Sequence, residues 1–182
     1  EILKQGGLVA FPTETVYGLG GDALNPQASM KIYAAKGRPS DNPLIVHITN
    51  MGALDKIADI IPEVAYKVAD AYWPGPLTMI FQKTEEVPYE TTGGLDTVAV
   101  RMPSDEIARA LIDAGGGYIA APSANTSGRP SPTKAEHAEE DLSGKIEMIL
   151  DGGAVDIGVE STILDMTVTP PMILRPGAIT KE

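Results

Sequence analysis

Cysteine is absent from the 182-residue sequence. Disulfides, a thiolate zinc site and a thiol nucleophile are thereby excluded. Aromatic side chains are scarce, with two Phe, one Trp and six Tyr, so there are few faces on which unpaired bases could stack. Cations are outnumbered, 14 Lys and Arg against 25 Asp and Glu, for a net charge of −11. A surface of that sign repels nucleic acid at long range and argues against a protein that coats itself broadly in it; a local basic patch is still compatible with it. No apolar run approaches the ~18 residues of a membrane-spanning helix, and no signal-peptide pattern precedes the first strand. A cytoplasmic protein with no membrane contact is the expectation. Internal repeats, low-complexity tracts and linkers are missing as well.

What remains is a composition ordinary for a globular protein, 43% hydrophobic and 21% charged, long enough to bury a substantial core. One domain over residues 1–182 is expected. The chain begins at Glu1 rather than Met, which raises the expectation that residues upstream are missing. Strand-like and helix-like segments alternate. Residues 1–5 read as a helix end stopped by Gly6-Gly7. Residues 8–11 read as a strand and residues 12–22 as a loop-like passage. Asn25-Pro26 caps a helix running to about Lys36. Further helices are expected at 53–60, at 63–72 before Trp73-Pro74-Gly75-Pro76, and from a Ser104 cap to about Ala114. Thr133 and Glu136 have the spacing of a capping box for another. Strands are expected at 44–48, 77–81, 97–102, 118–121, 146–150, 161–164 and 172–174. The interleaving predicts an α/β or α+β fold, a mixed sheet flanked by helices.

In so acidic a chain, Lys36-Gly37-Arg38 stands out, as does Ser123-Ala124-Asn125 far along the sequence. Two cations flanking a glycine, beside the turn-rich Pro39-Ser40-Asp41-Asn42-Pro43, suit a phosphate or carboxylate. They equally suit a helix end whose dipole they complement. Strand periodicity adds candidates. Val98, Val100 and Met102 make an apolar face, leaving Thr97, Ala99 and Arg101 on the other. His47 lies opposite Leu44, Val46 and Ile48. If extended, Ala121, Ser123 and Asn125 share a face, and so do Phe11, Thr13, Thr15 and Tyr17. In one sheet, these polar faces would form a concave ligand site. Each also has a plain structural reading: a satisfied strand histidine, a guanidinium paired internally, or Ser and Asn serving the turn at Thr126-Ser127-Gly128. The acidic run Glu136, Glu139, Glu140, Asp141 reads as a solvated helix face.

Two standard templates fail. Gly18-Leu19-Gly20-Gly21-Asp22-Ala23 matches the dinucleotide pattern by letter, but Pro12 to Thr15 intervenes after the strand and the helix cap comes later, at Asn25. No G-x-x-x-x-G-K-[ST] loop is present. No spacing of His, Asp and Glu builds a metal cage, and no nucleophile elbow supports a serine triad.

Six ordered segments are recognisable together: Phe11-Pro12-Thr13-Glu14-Thr15-Val16-Tyr17-Gly18-Leu19, Lys36-Gly37-Arg38 with Asn42-Pro43-Leu44, Trp73-Pro74-Gly75-Pro76-Leu77-Thr78, Arg101-Met102-Pro103, Ala121-Pro122-Ser123-Ala124-Asn125, and Arg175-Pro176-Gly177. Over nearly the whole chain they resemble the YrdC family, the threonylcarbamoyl-AMP synthases. The resemblance implies a single YrdC-like domain, a twisted mixed sheet with a polar concave site. It implies an enzyme that converts L-threonine, bicarbonate and ATP, with Mg²⁺ on the triphosphate, into threonylcarbamoyl-AMP and pyrophosphate. A partner transferase would then modify tRNA. Carried over motif by motif, Lys36 and Arg38 would be catalytic at the phosphates. ATP would be held by them with Asn42, Thr97, Ser123, Asn125, Ser131 and Arg175. Threonine would contact Thr15, His47, Arg101, Ala121 and Ser161, with Arg101 clamping its carboxylate.

The chemistry suits these residue types. A carbamate is already an anion, so its attack on the α-phosphorus needs positioning and charge neutralisation more than a strong base. His47 is the one candidate base by type. Longer family members carry a further C-terminal domain, so the chain is expected to be either a short form or a catalytic-domain fragment. Larger hydrogenase-maturation proteins with a related domain carry cysteine-rich modules that this sequence lacks. The competing class is a non-catalytic module gripping double-stranded RNA or tRNA through Lys36, Arg38, Arg101 and Arg175. Net charge and few aromatics oppose it and predict weak direct tRNA binding at most.

Overall fold

The structure is a computed structural model and describes residues 1–180. A 3₁₀ turn at Leu3–Gln5 is followed by β1 (Val9–Phe11), β2 (Gly18–Asp22), α1 (Pro26–Lys36), β3 (Ile45–His47), α2 (Leu54–Ile57), α3 (Glu63–Tyr72), β4 (Leu77–Gln82), α4 (Tyr89–Thr92), β5 (Thr97–Arg101), α5 (Glu106–Ala114), β6 (Ile119–Ala120), α6 (Ala135–Leu142), β7 (Met148–Ile149), β8 (Thr162–Asp165) and β9 (Met172–Arg175). The described residues form a nine-stranded sheet in the order β7-β1-β2-β6-β3-β5-β4-β8-β9. It is mixed as expected: β1 with β7, β3 with β5 and β4 with β8 run parallel, and the remaining neighbours run antiparallel.

Strand alternation decides what each face meets. Ala10, Leu19, Ala120, Val46, Val98, Val100, Met79 and Phe81 point to one side and pack with Ile32 and Tyr33 of α1 and Ala65 and Ala69 of α3 in the main core. On the other side, Val9, Phe11, Ile119 and Ala121 pack beneath Ala108 and Ile112 of α5. The α5 cluster reaches only the β1 and β6 end of the sheet. Further along, the same face of β3, β5, β4 and β8 carries Ile45, Ala99, Ile80 and Ile163, which line an open cavity instead. The site therefore exists because one face of a continuous sheet is only half roofed.

Local signals explain most elements. Asn25 caps α1 by accepting from the amides of Gln27 and Ala28, Pro26 occupies its first turn, and Gly37 closes it at φ +61°. Gly37 supplies that left-handed turn, which a residue with a Cβ rarely adopts. The segment 12–22 is a correction. Its second half is strand β2, with Gly18 and Gly20 paired to Phe11 and Val9. A Cβ on Gly20 would lie 2.7 Å from the Phe11 ring and 2.9 Å from Ile119. These glycines make room for packing, which a propensity reading takes for turn chemistry.

Other expectations also shift. Residues 12–17 are not extended, because the Thr13 hydroxyl donates to the Val16 carbonyl at 2.7 Å. Phe11 and Tyr17 consequently enter different cores rather than sharing a face. Asp105, not Ser104, caps α5. No side chain caps α6, whose N-cap is Lys134, so the Thr133/Glu136 capping box does not form. Asp141 leaves the solvated acidic face: it is buried, accepts from the Thr126 amide and pairs with Arg129 at 3.0 Å. The helix expected at 53–60 shortens to α2 preceded by a 3₁₀ turn, and α4 was not foreseen.

Candidate active site

The cavity on the open sheet face has a volume of about 210 Å³. Its walls include Thr15, Arg38, Asn42, His47, Arg101, Ala121, Ser123, Ser161 and Arg175. Residues singled out from widely separated segments thus meet in one place, because β3, β5 and β6 are neighbours in the sheet and His47 stands in register with both Arg101 and Ile119. Residues 121–124 continue β6 beside Tyr17 to Leu19, held by Leu19 N to Pro122 O and Ala124 N to Tyr17 O, each 2.8 Å. This pairing brings Ser123 opposite Gly18.

Four expected residues lie off these walls. Lys36 is 1% exposed and donates to the Ser123 and Asn125 carbonyls, the latter at 2.6 Å. Its ammonium ties the end of α1 to the 121–125 segment. Burial, with Arg38 nearby, lowers its pKa to about 8, leaving it mostly charged at neutral pH. The Asn125 side chain is turned away from the cavity and donates to the Thr126 and Arg129 carbonyls. Thr97 continues the face of Ala99 and Arg101 one step past the cavity wall. Ser131 stands at the rim, donating to Glu160 at 3.1 Å.

Sequence reading missed two acids. Glu14 is buried and pairs with Arg101, while its second oxygen accepts from the amide and hydroxyl of Ser104. Arg101 also donates to Thr15 Oγ1 at 2.9 Å and to the Gly75 carbonyl at 3.3 Å. The anion that a buried guanidinium calls for is thus partly supplied by Glu14, and the remaining N–H groups of the Arg101 fork are what a ligand could use. Burial, reinforced by Arg175, draws the guanidinium down to about 10, still charged at neutral pH. Glu160, on the cavity wall, pairs with Arg175 at 3.0 Å. Glu14 sat inside the quoted Thr13-Glu14-Thr15 segment, so its place was readable; its partner was not. Nothing local marks Glu160.

His47 departs from the base assigned to it by type. It is fully enclosed, its Nδ1 donates to the Ile45 carbonyl at 3.1 Å, and Phe11 packs edge-on against it. Burial pushes its pKa down to about 4, so the ring is neutral and weakly basic. The charge balance of the site follows. Arg101 is offset by Glu14 and Arg175 by Glu160, while Arg38 and Lys36 make no ion pair among the described residues. Arg38 instead donates to the Asn42 and Pro43 carbonyls, which aim it at the cavity mouth. The cationic surplus therefore comes from Arg38 on the cavity wall and the buried Lys36 behind it.

The family model of Sua5, YciO and YrdC, described as telomere recombination, matches residues 1–177. The chain belongs to this family. Within the Sua5/YciO/YrdC group it is 58% identical over 180 residues to a threonylcarbamoyl-AMP synthase of Pyrococcus abyssi, covering 99% of this chain and 53% of the relative. A synthase of the same name from Bacillus subtilis is 54% identical, covering 100% of this chain and 53% of the relative. The crystal structure of P. abyssi Sua5 complexed with L-threonine superposes with a TM-score of 0.95 at 58% identity, over 97% of this chain and 52% of that one. The chain spans about half the length of the relatives it matches. No helix among the described residues is long and apolar enough to cross a membrane.

Proposed function

We propose that this chain carries the site of an L-threonylcarbamoyladenylate synthase, a nucleotidyl transfer from ATP to a carbamate of L-threonine. The observation that carries the reading is that one cavity gathers small polar side chains and three arginines. Thr15, His47, Arg101, Ala121 and Ser161 offer an amino-acid-sized polar recess, and Arg38 with Arg175 offers a cationic mouth. A related Sua5 with L-threonine bound supports the assignment of the recess.

In this reading the free Arg101 N–H groups take the threonine carboxylate, and the Thr15 and Ser161 hydroxyls orient the amino acid. Threonine amine and bicarbonate give the carbamate and water. A carbamate oxygen forms a bond to the α-phosphorus as the α–β bridging P–O bond breaks, and pyrophosphate leaves. Arg38 and Arg175 neutralise the leaving charge, and Ser123 and Asn42 hold the chain in place. Lys36 acts one layer back by fixing Ser123. Neutral His47 contributes shape and an acceptor, since an anionic nucleophile needs no proton removed at attack. At about 210 Å³ the cavity is small beside the ~300–1,000 Å³ of common ligand pockets, so it takes the reacting ends while ribose and base extend past the rim near Thr97 and Ser131.

No group of three His, Asp or Glu side chains gathers among the described residues. Mg²⁺ fits here as a cation carried on the triphosphate, where it would supply charge neutralisation. Delivery of the product to a tRNA-modifying transferase in the cytoplasm belongs to the same proposal.

The test is purified protein with ATP, Mg²⁺, threonine and bicarbonate, followed by mass spectrometry for a threonine-bearing adenylate and by pyrophosphate release. Threonine binding without adenylate would sink the reading. The RNA-gripping alternative is disfavoured because Arg101 is enclosed and Lys36 buried, leaving few cations free for phosphodiesters. Weak tRNA binding that ATP displaces is expected.

A further inference from the structure

Resting on that reading, two different anions, a carboxylate and a polyphosphate, must enter one cavity with three arginines on its walls. Something has to sort them. Arg175 is oriented independently of any acid, since its Nε and NH2 donate to the Ser161 carbonyl at 3.2 and 2.8 Å. Its NH1 is the donor that Glu160 Oε2 covers, at 3.0 Å. The other oxygen, Oε1, accepts from Ser131 Oγ, and the Glu160 carbonyl is pinned by the Ala178 amide at 3.0 Å. One carboxylate thus occupies two donors at the mouth of the cavity. It also lies close enough to Lys36 and Arg38 to favour their charged forms.

We propose that Glu160 is a specificity-determining residue: its carboxylate holds the Arg175–Ser131 anion subsite against monoanions and yields it only to a phosphate chain. A carboxylate from solvent would exchange like for like and lose its translational freedom as well, whereas Glu160 is tethered. A polyphosphate brings more charge and more acceptor oxygens and can engage Arg38 at the same time. The amino-acid carboxylate is thereby left to Arg101, whose own acid, Glu14, is buried behind it rather than placed in the cavity.

The experiment titrates inorganic pyrophosphate, alone and against acetate, into the wild-type protein and Glu160→Gln without Mg²⁺. The Arg175 and Glu160 side chains are 37% and 41% exposed, so the variant is expected to fold, which a melting curve checks. Glu160→Gln should bind pyrophosphate roughly three- to tenfold more tightly, the scale of releasing a half-exposed ion pair and one repelling charge. Acetate should compete in the variant and not in the wild type, and Glu160→Asp should keep wild-type discrimination. Unchanged pyrophosphate affinity, or no pyrophosphate binding by either protein, would overturn the inference. So would weaker binding in Glu160→Gln that appears only with Mg²⁺, which would make Glu160 a cation holder. If pyrophosphate and acetate behave as expected but no adenylate forms, the functional reading fails and the anion filter stands.

Discussion

The Lys36 ammonium lies 2.6 Å from the carbonyl oxygen of Asn125, inside the protein. With the Ser123 carbonyl as its second acceptor, it joins two segments that the sequence separates widely. A lysine that looks like a phosphate ligand is here a buried tie, and Arg38 is the cation of that segment on the cavity wall.

Lys36→Met should therefore act through structure. It leaves two carbonyls without their donor, for a loss of about 1–3 kcal/mol, and loosens Ser123. Urea unfolding measures the first effect and titration with an ATP analogue the second. Arg38→Ala should weaken nucleotide binding with little change in the unfolding midpoint. Equal stability losses in both variants would contradict this division.

Glu14→Ala leaves Arg101 charged, buried and unpaired and strips Ser104 of its acceptor. A loss of about 3–5 kcal/mol is expected. Glu14→Gln keeps an acceptor but not the charge, so it should fall between the two proteins in denaturant midpoint. Arg101→Ala should weaken threonine affinity in protein that remains folded; intact threonine binding there would remove Arg101 from the carboxylate site.

The pH dependence of stability should carry a histidine signature. Unfolded His47 titrates near 6.5 and the folded group near 4. Between those values the unfolded chain binds a proton that the folded one refuses. Stability present at neutral pH is accordingly lost as pH falls from 6.5 to 4, by up to about 3 kcal/mol. Subtracting the profile of His47→Gln from that of the wild type isolates this contribution, and a flat difference would refute it.

Gly20→Ala should destabilise by about 1–3 kcal/mol through overpacking, since its Cβ meets Phe11 and Ile119 below 3.0 Å. Adding Phe11→Leu should recover part of the loss in thermal unfolding, as the ring is what must move.

Much was legible in the chain. Asn25-Pro26 and Gly37 bound α1 by local capping chemistry, and the alternation from Thr97 to Met102 separated core face from cavity face correctly. The motifs placed Arg38, His47, Arg101 and Ser123 in one site, and the sheet brings them together. Glycine failed as a signal in β2, where Gly18 and Gly20 answer to the Phe11 ring across the strand pair rather than to a turn. The capping box at Thr133 failed because α6 begins one residue later, with Lys134 at its N-cap, which puts Glu136 at the second helical position instead of the third.

The sequence by itself determined periodicity, the capping of α1, the absence of thiol chemistry and the set of polar residues available to a ligand, because these depend on composition or on neighbours within a few positions. Only the tertiary structure decided which acid answers each cation. Glu14 with Arg101 is a pair that strand order brings together across 87 positions, and Glu160 with Arg175 is set by the antiparallel pairing of β8 with β9. Charge pairing depends on distance through space, and strand pairing fixes those distances where signals within a few positions do not.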